Sequence, residues 1–254
     1  MDIFQAIIIG IIEGFTEFLP ISSTGHMIVA SRFLGIEESE VVKAYEVIIQ
    51  LSAIFAVAII YRDKFHIKYI ELWQKIIIAF LPLAIIGFIL KDYIKMLFSV
   101  EIVAIMFIVG GVIFLIVEKF YKEKDNSIKD ISDISYKQSI LIGLAQVLSL
   151  IPGTSRAGAT IIGGLLVGLN REMSASFSFL LAIPVMGAVS GYDILKHYSE
   201  FENANLTAFI IGFIVSFVVA YITIKLFLSF LNRFTFVAFG IYRIVFGIFL
   251  LLII

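Results

Sequence analysis

The sequence predicts an all-α integral membrane protein built as an inverted-topology repeat, with about six transmembrane helices and two re-entrant pairs of broken helices. Three observations lead to this fold class: an apolar composition, long uncharged runs, and two apolar segments interrupted by Pro, Gly and hydroxyl residues. Of the 254 residues, 61% are hydrophobic and 15% are charged, and the mean hydropathy is +1.06. Because a soluble domain carries about 45–50% apolar and about 25% charged residues, this composition indicates a polytopic membrane protein.

The composition also excludes several classes of function. The net charge of -1 leaves no basic surface for nucleic acid. The absence of cysteine excludes disulfides, thiolate nucleophiles and cysteine-ligated metals. The N-terminus lacks the basic region and the small-residue cleavage site of a signal peptide, so we expect the first apolar segment to remain in the mature protein.

Hydropathy places the spanning helices, each of which needs about 20 apolar residues. The run 76–90 is short and must extend into its flanks. The candidate spans are 45–61, 76–90, 98–117, 175–192, 206–224 and 234–254. Two further apolar regions, 3–30 and 139–169, are broken near residues 20–25 and 152–158, and we expect each of them to dip into the membrane and return.

The loop charges predict the orientation. Lysine and arginine are concentrated in loops 62–75 and 118–138, which should therefore be cytoplasmic. Loop 31–44, with Glu37, Glu38 and Glu40, and loop 193–205, with Glu200 and Glu202, are acidic and should face outside.

This arrangement predicts a single membrane domain, residues 1–254, that consists of two halves. The halves span 1–117 and 139–254, and each consists of a broken segment followed by three helices. In such inverted repeats the broken helices meet near the bilayer midplane and line the binding site. The bilayer is thus one expected partner, and the sequence leaves open whether the chain forms a homodimer.

The first broken segment contains "EGFTEFLPISSTGH", from Glu13 to His26. Glu13 and Glu17 are four residues apart and share one face of a helix, where carboxylate oxygens suit a hard divalent cation such as Mg²⁺ or Ca²⁺. The alternative interpretation is a pair of glutamates that reach water near a helix end. A charged residue at mid-membrane is costly, by about 2.5–3.5 kcal/mol on insertion scales, which favours the functional interpretation.

Hydroxyl groups and an imidazole follow Pro20 in the same segment. Ser22 and Thr24 either contact a substrate or cap the next helix. His26, three residues after Ser23, is interpreted as an acid, base or nucleophile rather than as a hydrogen-bonded core histidine.

The second broken segment contains "PGTSRAGAT", which has the composition of an anion-binding loop. Arg156 supplies a forked, permanently charged donor set that suits phosphate, or else it pairs with Glu13 or Glu17. A helix that begins near Ala157 would direct its positive end toward the anion. The remaining candidate ligand-binding residues are Gly153, Thr154, Ser155 and Thr160.

Together these motifs resemble the undecaprenyl-diphosphate phosphatase family, which is also known for bacitracin resistance. The family has an E/Q-x-x-x-E motif, here Glu13 and Glu17, a P-x-S-S-[ST]-G-H stretch, here residues 20–26, and a P-G-x-S-R-[SA]-x-x-T signature, here residues 152–160. The resemblance extends over essentially the whole chain.

The resemblance implies an enzyme of the bacterial inner membrane that hydrolyses undecaprenyl diphosphate to the monophosphate carrier lipid, requires a divalent cation and opens toward the outer, periplasmic face. It assigns catalytic roles to Glu17, Ser23, His26 and Arg156 and metal binding to Glu13 and Glu17. Glu46 and Gln50 are further candidates for the same cavity.

Three schemes for the attack on phosphorus remain open. Ser23 attacks with His26 as its base, His26 attacks directly, or metal-bound water attacks with His26 as acid or base. We favour Ser23 as the nucleophile.

Two rival functions are considered. A lipid flippase would share the fold and the anion clamp, but it would need no serine and histidine pair. A lipid phosphatase of the phosphatidic acid phosphatase type 2 superfamily would need a histidine where Ile162 stands, so that interpretation fails.

Overall fold

The computed structural model describes residues 1–37, 39–122, 128, 130–196 and 205–253. Within these residues the chain forms α-helices and short 3-10 helices, and its only β-type pairing is an isolated bridge between Ile128 and Leu169. The α-helices are α1 (Ile3–Thr16), α2 (Ser23–Phe33), α3 (Glu40–Ile60), α4 (Ile70–Met96), α5 (Val100–Phe120), α6 (Tyr136–Gln146), α7 (Arg156–Leu166), α8 (Arg171–Lys196), α9 (Leu206–Leu231) and α10 (Val237–Ile253).

Each of the six candidate spans corresponds to one long helix. Among the described residues, five helices are long and apolar enough to cross a membrane, namely α3, α4, α5, α8 and α9. Helix α10 covers the sixth span with 17 described residues and is grouped with the shorter apolar helices, so the sixth transmembrane helix stays a prediction. The short span 76–90 does extend into its flanks, because α4 runs for 27 residues and keeps Pro82 inside the helix.

The two regions that are predicted to be re-entrant, 3–30 and 139–169, are both broken at or beside the expected positions. Helices α1 and α2 are separated by residues 17–22, and α6 and α7 by a 3-10 helix (Val147–Leu150) and residues 151–155. Helix α7 begins at Arg156, one residue earlier than expected. Proline lacks the N–H that helix continuation needs, and the residue before each new helix, Ser22 or Ser155, has a positive φ, which is not a helical conformation.

The broken helices are packed against long helices of the other half of the chain. Helix α1 lies against α9, and α6 lies against α4, while α5 is packed on α10 and α3 on α8. Glycines allow these close approaches: a Cβ added at Gly10 would lie 3.0 Å from the Gly212 carbonyl oxygen, and one at Gly143 would overlap the Ala79 carbonyl oxygen.

Part of the orientation prediction concerns residues that the structure does not describe. Outside the described residues lie Glu38, Lys124, Lys129, Glu200 and Glu202.

Candidate active site

A cavity of about 280 Å³ lies where the two breaks meet. Residues 17–24 of the first broken segment and residues 152–156 of the second each contribute four side chains or backbone positions to its wall. These are Glu17, Ser22, Ser23 and Thr24, and Pro152, Gly153, Ser155 and Arg156. The cavity is completed by Gln50 of α3, by Ser149, and by apolar side chains that include Leu83, Phe98, Val185, Met186 and Val189. The wall is therefore polar at the breaks and apolar elsewhere.

Glu17 joins the two breaks. Its Oε1 accepts a hydrogen bond from Arg156 Nη2 at 2.9 Å, and its Oε2 accepts one from the Ser23 hydroxyl at 2.6 Å. The side chains of Glu17 and Arg156 are each only 10% exposed. The interpretation that Arg156 pairs with an acidic residue is thus confirmed for Glu17. Removal of either partner of such a buried ion pair leaves an uncompensated charge and is strongly destabilising.

Arg156 is held by further contacts. Nη1 donates to the Ser178 carbonyl oxygen at 3.1 Å, and the guanidinium carbon lies 5.9 Å from the centre of the Phe18 ring. A guanidinium that is fixed in this way presents its fork in one orientation, as recognition of a phosphate group requires.

Two strained turns form the rim of the cavity. Ser22 has φ of 67° and Ser155 has φ of 72°, a left-handed conformation that costs a non-glycine residue about 1–3 kcal/mol. Helices α2 and α7 start immediately after these turns, so the free N–H groups and the positive ends of both helices lie beside the cavity. Gly153 has φ of 90°, and a Cβ there would lie 2.5 Å from the Val103 carbonyl oxygen. These features together suit the binding of an anion.

Glu13 does not line this cavity. The residue is fully buried, and within the described residues neither of its carboxylate oxygens has a hydrogen-bond partner. Glu17 and Glu46 are close enough to repel its charge, and Arg156 is close enough to attract it.

Carboxylate oxygens are the ligands that a hard divalent cation prefers, and those of Glu13 have no hydrogen-bond partner among the described residues. Among the residues that the structure describes, no three acidic or histidine side chains are grouped so as to hold a metal ion by themselves. A cation with one or two carboxylate ligands completes its shell with water and substrate phosphate oxygens, as Mg²⁺ commonly does.

The expected Ser23–His26 pair is not formed. His26 Nδ1 lies 2.8 Å from the Ser22 carbonyl oxygen, and Nε2 lies 2.5 Å from the Tyr242 hydroxyl. His26 lines a separate apolar cavity of about 380 Å³, which shares no residue with the cavity at Glu17. The correction has a simple cause: spacing along a helix places two residues near each other, but the side-chain rotamer decides what each one contacts.

Two of the three threonines predicted to bind the ligand, Thr154 and Thr160, also lie outside the cavity wall, whereas Thr24 is part of it. Thr160 is buried, and its hydroxyl lies 2.9 Å from the Arg156 carbonyl oxygen and 2.6 Å from the Ser178 hydroxyl. Thr154 is not part of the wall, and its buried hydroxyl has no partner among the described residues. Thr160 thus supports the first turn of α7, where a helical hydroxyl bonds to a preceding carbonyl.

Gln50 and Glu46 are placed near the site, as the sequence suggests. Gln50 lines the cavity itself. Glu46 lines an adjoining cavity of about 550 Å³, which shares Thr24 and Phe98 with the first.

Sequence reasoning missed Arg243. This side chain is fully buried in α10 and donates to the carbonyl oxygens of Pro20 at 3.2 Å, Gly153 at 3.0 Å and Met106 at 2.9 Å. It therefore ties the two broken segments to each other and to α5. An arginine within an otherwise apolar span was the available signal, because such a charge is rarely tolerated without partners.

Comparison with known proteins gives a family and named relatives. The family described as bacitracin resistance protein BacA matches residues 6–249. The Undecaprenyl-diphosphatase of Sulfurovum sp. (strain NBC37-1) is 70% identical over 253 residues, 100% of each chain. That of Sulfurimonas denitrificans is 66% identical over 99% of each chain. The Undecaprenyl-diphosphatase of Methanococcus aeolicus is 56% identical over 99% of this chain and 98% of its own.

Proposed function

The chain belongs to the bacitracin resistance protein BacA family, and we propose that it acts, as the names of its relatives describe, on undecaprenyl diphosphate. It hydrolyses this lipid to undecaprenyl phosphate and inorganic phosphate. The product is the carrier lipid for cell-wall synthesis, and its formation removes the diphosphate form and confers bacitracin resistance. The observation that carries the mechanism is the contact of Glu17 with both Ser23 and Arg156 inside one cavity.

Binding of the diphosphate uses the second break. Arg156 offers a bidentate fork to two phosphate oxygens, and the N–H groups at the start of α7 add further donors. The start of α2 brings the same kind of donors from the opposite side. The adjoining apolar wall, with Leu83, Phe98 and Val185, accommodates the first part of the prenyl chain.

In the chemical step, Ser23 Oγ attacks the terminal phosphorus. Its proton passes to Glu17 Oε2, the oxygen that already accepts the Ser23 hydrogen bond at 2.6 Å. The bond between the terminal phosphorus and the bridging oxygen breaks, and undecaprenyl phosphate leaves. Water then attacks the phosphoserine, inorganic phosphate departs, and the proton returns to Ser23 Oγ. Arg156 stabilises the charge on the phosphoryl oxygens in both steps.

This proposal differs from the sequence-based schemes in the general base, which is Glu17 instead of His26. A base must lie within hydrogen-bond reach of the proton it takes, and Glu17 does so whereas His26 bonds to Ser22 and Tyr242. Direct attack by His26 or by water is retained as the alternative that the phosphoryl-trapping experiment below separates.

A divalent cation, Mg²⁺ or Ca²⁺, is proposed as the cofactor. Glu13 would hold it, together with a remaining lone pair of Glu17. When bound, it would neutralise charge on the transferring phosphate. The buried and unpartnered carboxylate of Glu13 supports this assignment.

For location, we propose a multi-pass protein of the bacterial inner membrane, with the cavity opening toward the outer face and the halves 1–117 and 139–254 related as an inverted repeat. The reciprocal packing supports the repeat, since α1 of the first half lies on α9 of the second and α6 lies on α4. The strained serines that precede α2 and α7 support it as well. A homodimer is a further hypothesis, which the molar mass in detergent tests.

Phosphate release by the purified protein in detergent tests the function. We expect undecaprenyl diphosphate to yield inorganic phosphate, activity to fall when the divalent cation is chelated, and activity to return when Mg²⁺ or Ca²⁺ is added. Detergent abolishes transport across a bilayer, so release under these conditions separates hydrolysis from the rival flippase function. Metal-replete, folded protein without activity on this lipid would contradict the proposal.

A further inference from the structure

The contacts of His26 determine its protonation pattern. A backbone carbonyl only accepts hydrogen bonds, so Nδ1, 2.8 Å from the Ser22 carbonyl oxygen, carries the hydrogen. A neutral imidazole has a single N–H, and Nε2 is therefore an acceptor that receives the hydrogen bond of the Tyr242 hydroxyl at 2.5 Å. Both ring nitrogens are thus engaged, neither of them by Ser23 or Glu17.

Aromatic packing holds the ring in this position. The His26 ring is stacked on Phe246, with the ring centres 4.4 Å apart and the planes at 13°. Phe107 lies 5.7 Å away on another side. Because Tyr242 and Phe246 both belong to α10, the ring connects the short helix α2 to a long helix.

The two strained serines differ in how their turns are supported. At the second break, the Ser155 hydroxyl accepts a hydrogen bond from the Gly158 N–H at 3.0 Å and so caps α7. At the first break, Ser22 makes no such cap. Its backbone carbonyl instead receives the Nδ1 hydrogen of His26. The histidine therefore supplies, at the first break, the support that a serine hydroxyl supplies at the second.

We propose that Tyr242 and His26 are positioning residues: Tyr242 holds the imidazole, the imidazole holds the Ser22 carbonyl, and this turn keeps the Ser23 hydroxyl on Glu17. Neither residue contacts the substrate or the reacting atoms. The inference rests on the proposed function, because it concerns how the nucleophile of that reaction is held. It assigns Tyr242, which no motif in the sequence singles out, to the support of the active site.

Two amide substitutions of His26 separate positioning from proton transfer. Asparagine places its amide nitrogen the same number of bonds from Cα as Nδ1, so His26→Asn keeps the donor to Ser22. Glutamine places its nitrogen at the distance of Nε2, so His26→Gln loses that donor. Neither amide is a base at the pH of the assay.

With folding confirmed by size-exclusion chromatography, we expect His26→Asn to retain kcat within about tenfold of wild type and His26→Ala to lose about 100-fold or more, with His26→Gln close to His26→Ala. The pH profile of kcat/KM should be the same in His26→Asn as in wild type, since no titrating catalytic group is removed. The inference would be overturned if wild-type protein is active but folded His26→Asn is as inactive as His26→Ala. Inactive wild-type protein would instead contradict the proposed function.

Tyr242→Phe tests the same connection without changing the histidine. Loss of the hydroxyl should lower kcat by about 3- to 10-fold, with KM within about twofold of wild type and the pH profile unchanged. The matched control is Tyr93→Phe, at an exposed tyrosine of α4, which should leave kcat unaltered. Because the two residues act as one unit, adding Tyr242→Phe to His26→Ala should cause no further loss. A Tyr242→Phe variant with wild-type kcat would overturn the inference even if the histidine variants failed to fold.

Discussion

Arg156 and Glu17 are 139 residues apart in the sequence, yet the guanidinium of one donates a hydrogen bond of 2.9 Å to the carboxylate of the other. The contact joins the start of α7 to the end of α1 and closes the cavity between the two breaks. Since Glu17 also accepts the Ser23 hydroxyl, a single carboxylate connects the proposed anion clamp to the proposed nucleophile.

Glu17→Gln should nearly abolish phosphate release, by about 100-fold or more, because the amide cannot take the Ser23 proton and leaves Arg156 without its charge partner. Glu13→Gln should lower activity less and raise the concentration of divalent cation needed for half-maximal rate, since an amide binds a hard cation more weakly than a carboxylate does. Titration of Mg²⁺ against initial rate measures both effects.

Glu101→Gln is the control for these two variants, because Glu101 is an exposed residue in the first turn of α5. Its rate and cation dependence should equal those of wild type. Wild-type cation dependence in Glu13→Gln would count against a metal role for Glu13.

Arg156→Lys should lose most activity, about 100-fold, although the positive charge is kept. A guanidinium contacts two phosphate oxygens at once and a single ammonium does not, and the difference grows as charge develops in the transition state. The measurement is steady-state kcat/KM of this variant, compared with that of the control variant Arg62→Lys, which changes an exposed arginine. A lysine variant within about twofold of wild type would mean that Arg156 acts only as a structural partner of Glu17.

Arg243→Lys should lower the thermal unfolding midpoint in detergent and reduce activity about tenfold or more, because one ammonium does not reach the three carbonyl oxygens that the guanidinium satisfies, and each lost partner costs about 1–3 kcal/mol. Differential scanning fluorimetry reports the midpoint. Arg233→Lys, at an exposed arginine beyond α9, should change neither quantity. Unchanged stability and rate in Arg243→Lys would show that the two breaks hold together without it.

A chain without native cysteine allows a direct test of orientation. Cysteine introduced at Glu37, between α2 and α3, should react with an impermeant thiol reagent added outside intact cells. Cysteine at Asp133, between α5 and α6, should react only after the membrane is opened. These positions are exposed, and equal labelling of both from outside would contradict the inverted repeat.

Much of the fold follows from local patterns. Hydropathy located every long helix, and the Pro, Gly and hydroxyl clusters located both breaks, because these features act within one or two helical turns. Helix α10 begins at Val237 rather than near residue 234, because hydropathy alone does not mark where a helix begins.

The candidate site was predicted in part. The residues that line the cavity from the two motifs, among them Glu17, Ser23 and Arg156, were named correctly as neighbours. Two features depend on how α10 is packed against the breaks. One is the contact of His26 with Tyr242, 216 residues away, and the other is the set of hydrogen bonds that Arg243 donates. Spacing within a motif carries no information about such tertiary partners.

Ser23 is the proposed nucleophile, and trapping the phosphoryl group tests this assignment most directly. With protein in excess over lipid diphosphate radiolabelled in its terminal phosphate, rapid acid quenching should give an acid-stable label on wild-type protein, located by peptide mapping at Ser23 and absent from Ser23→Ala. The label should appear before inorganic phosphate and decay at the rate of its release. An acid-labile, base-stable label at His26, or complete turnover by Ser23→Ala with no label on wild type, would contradict attack by Ser23.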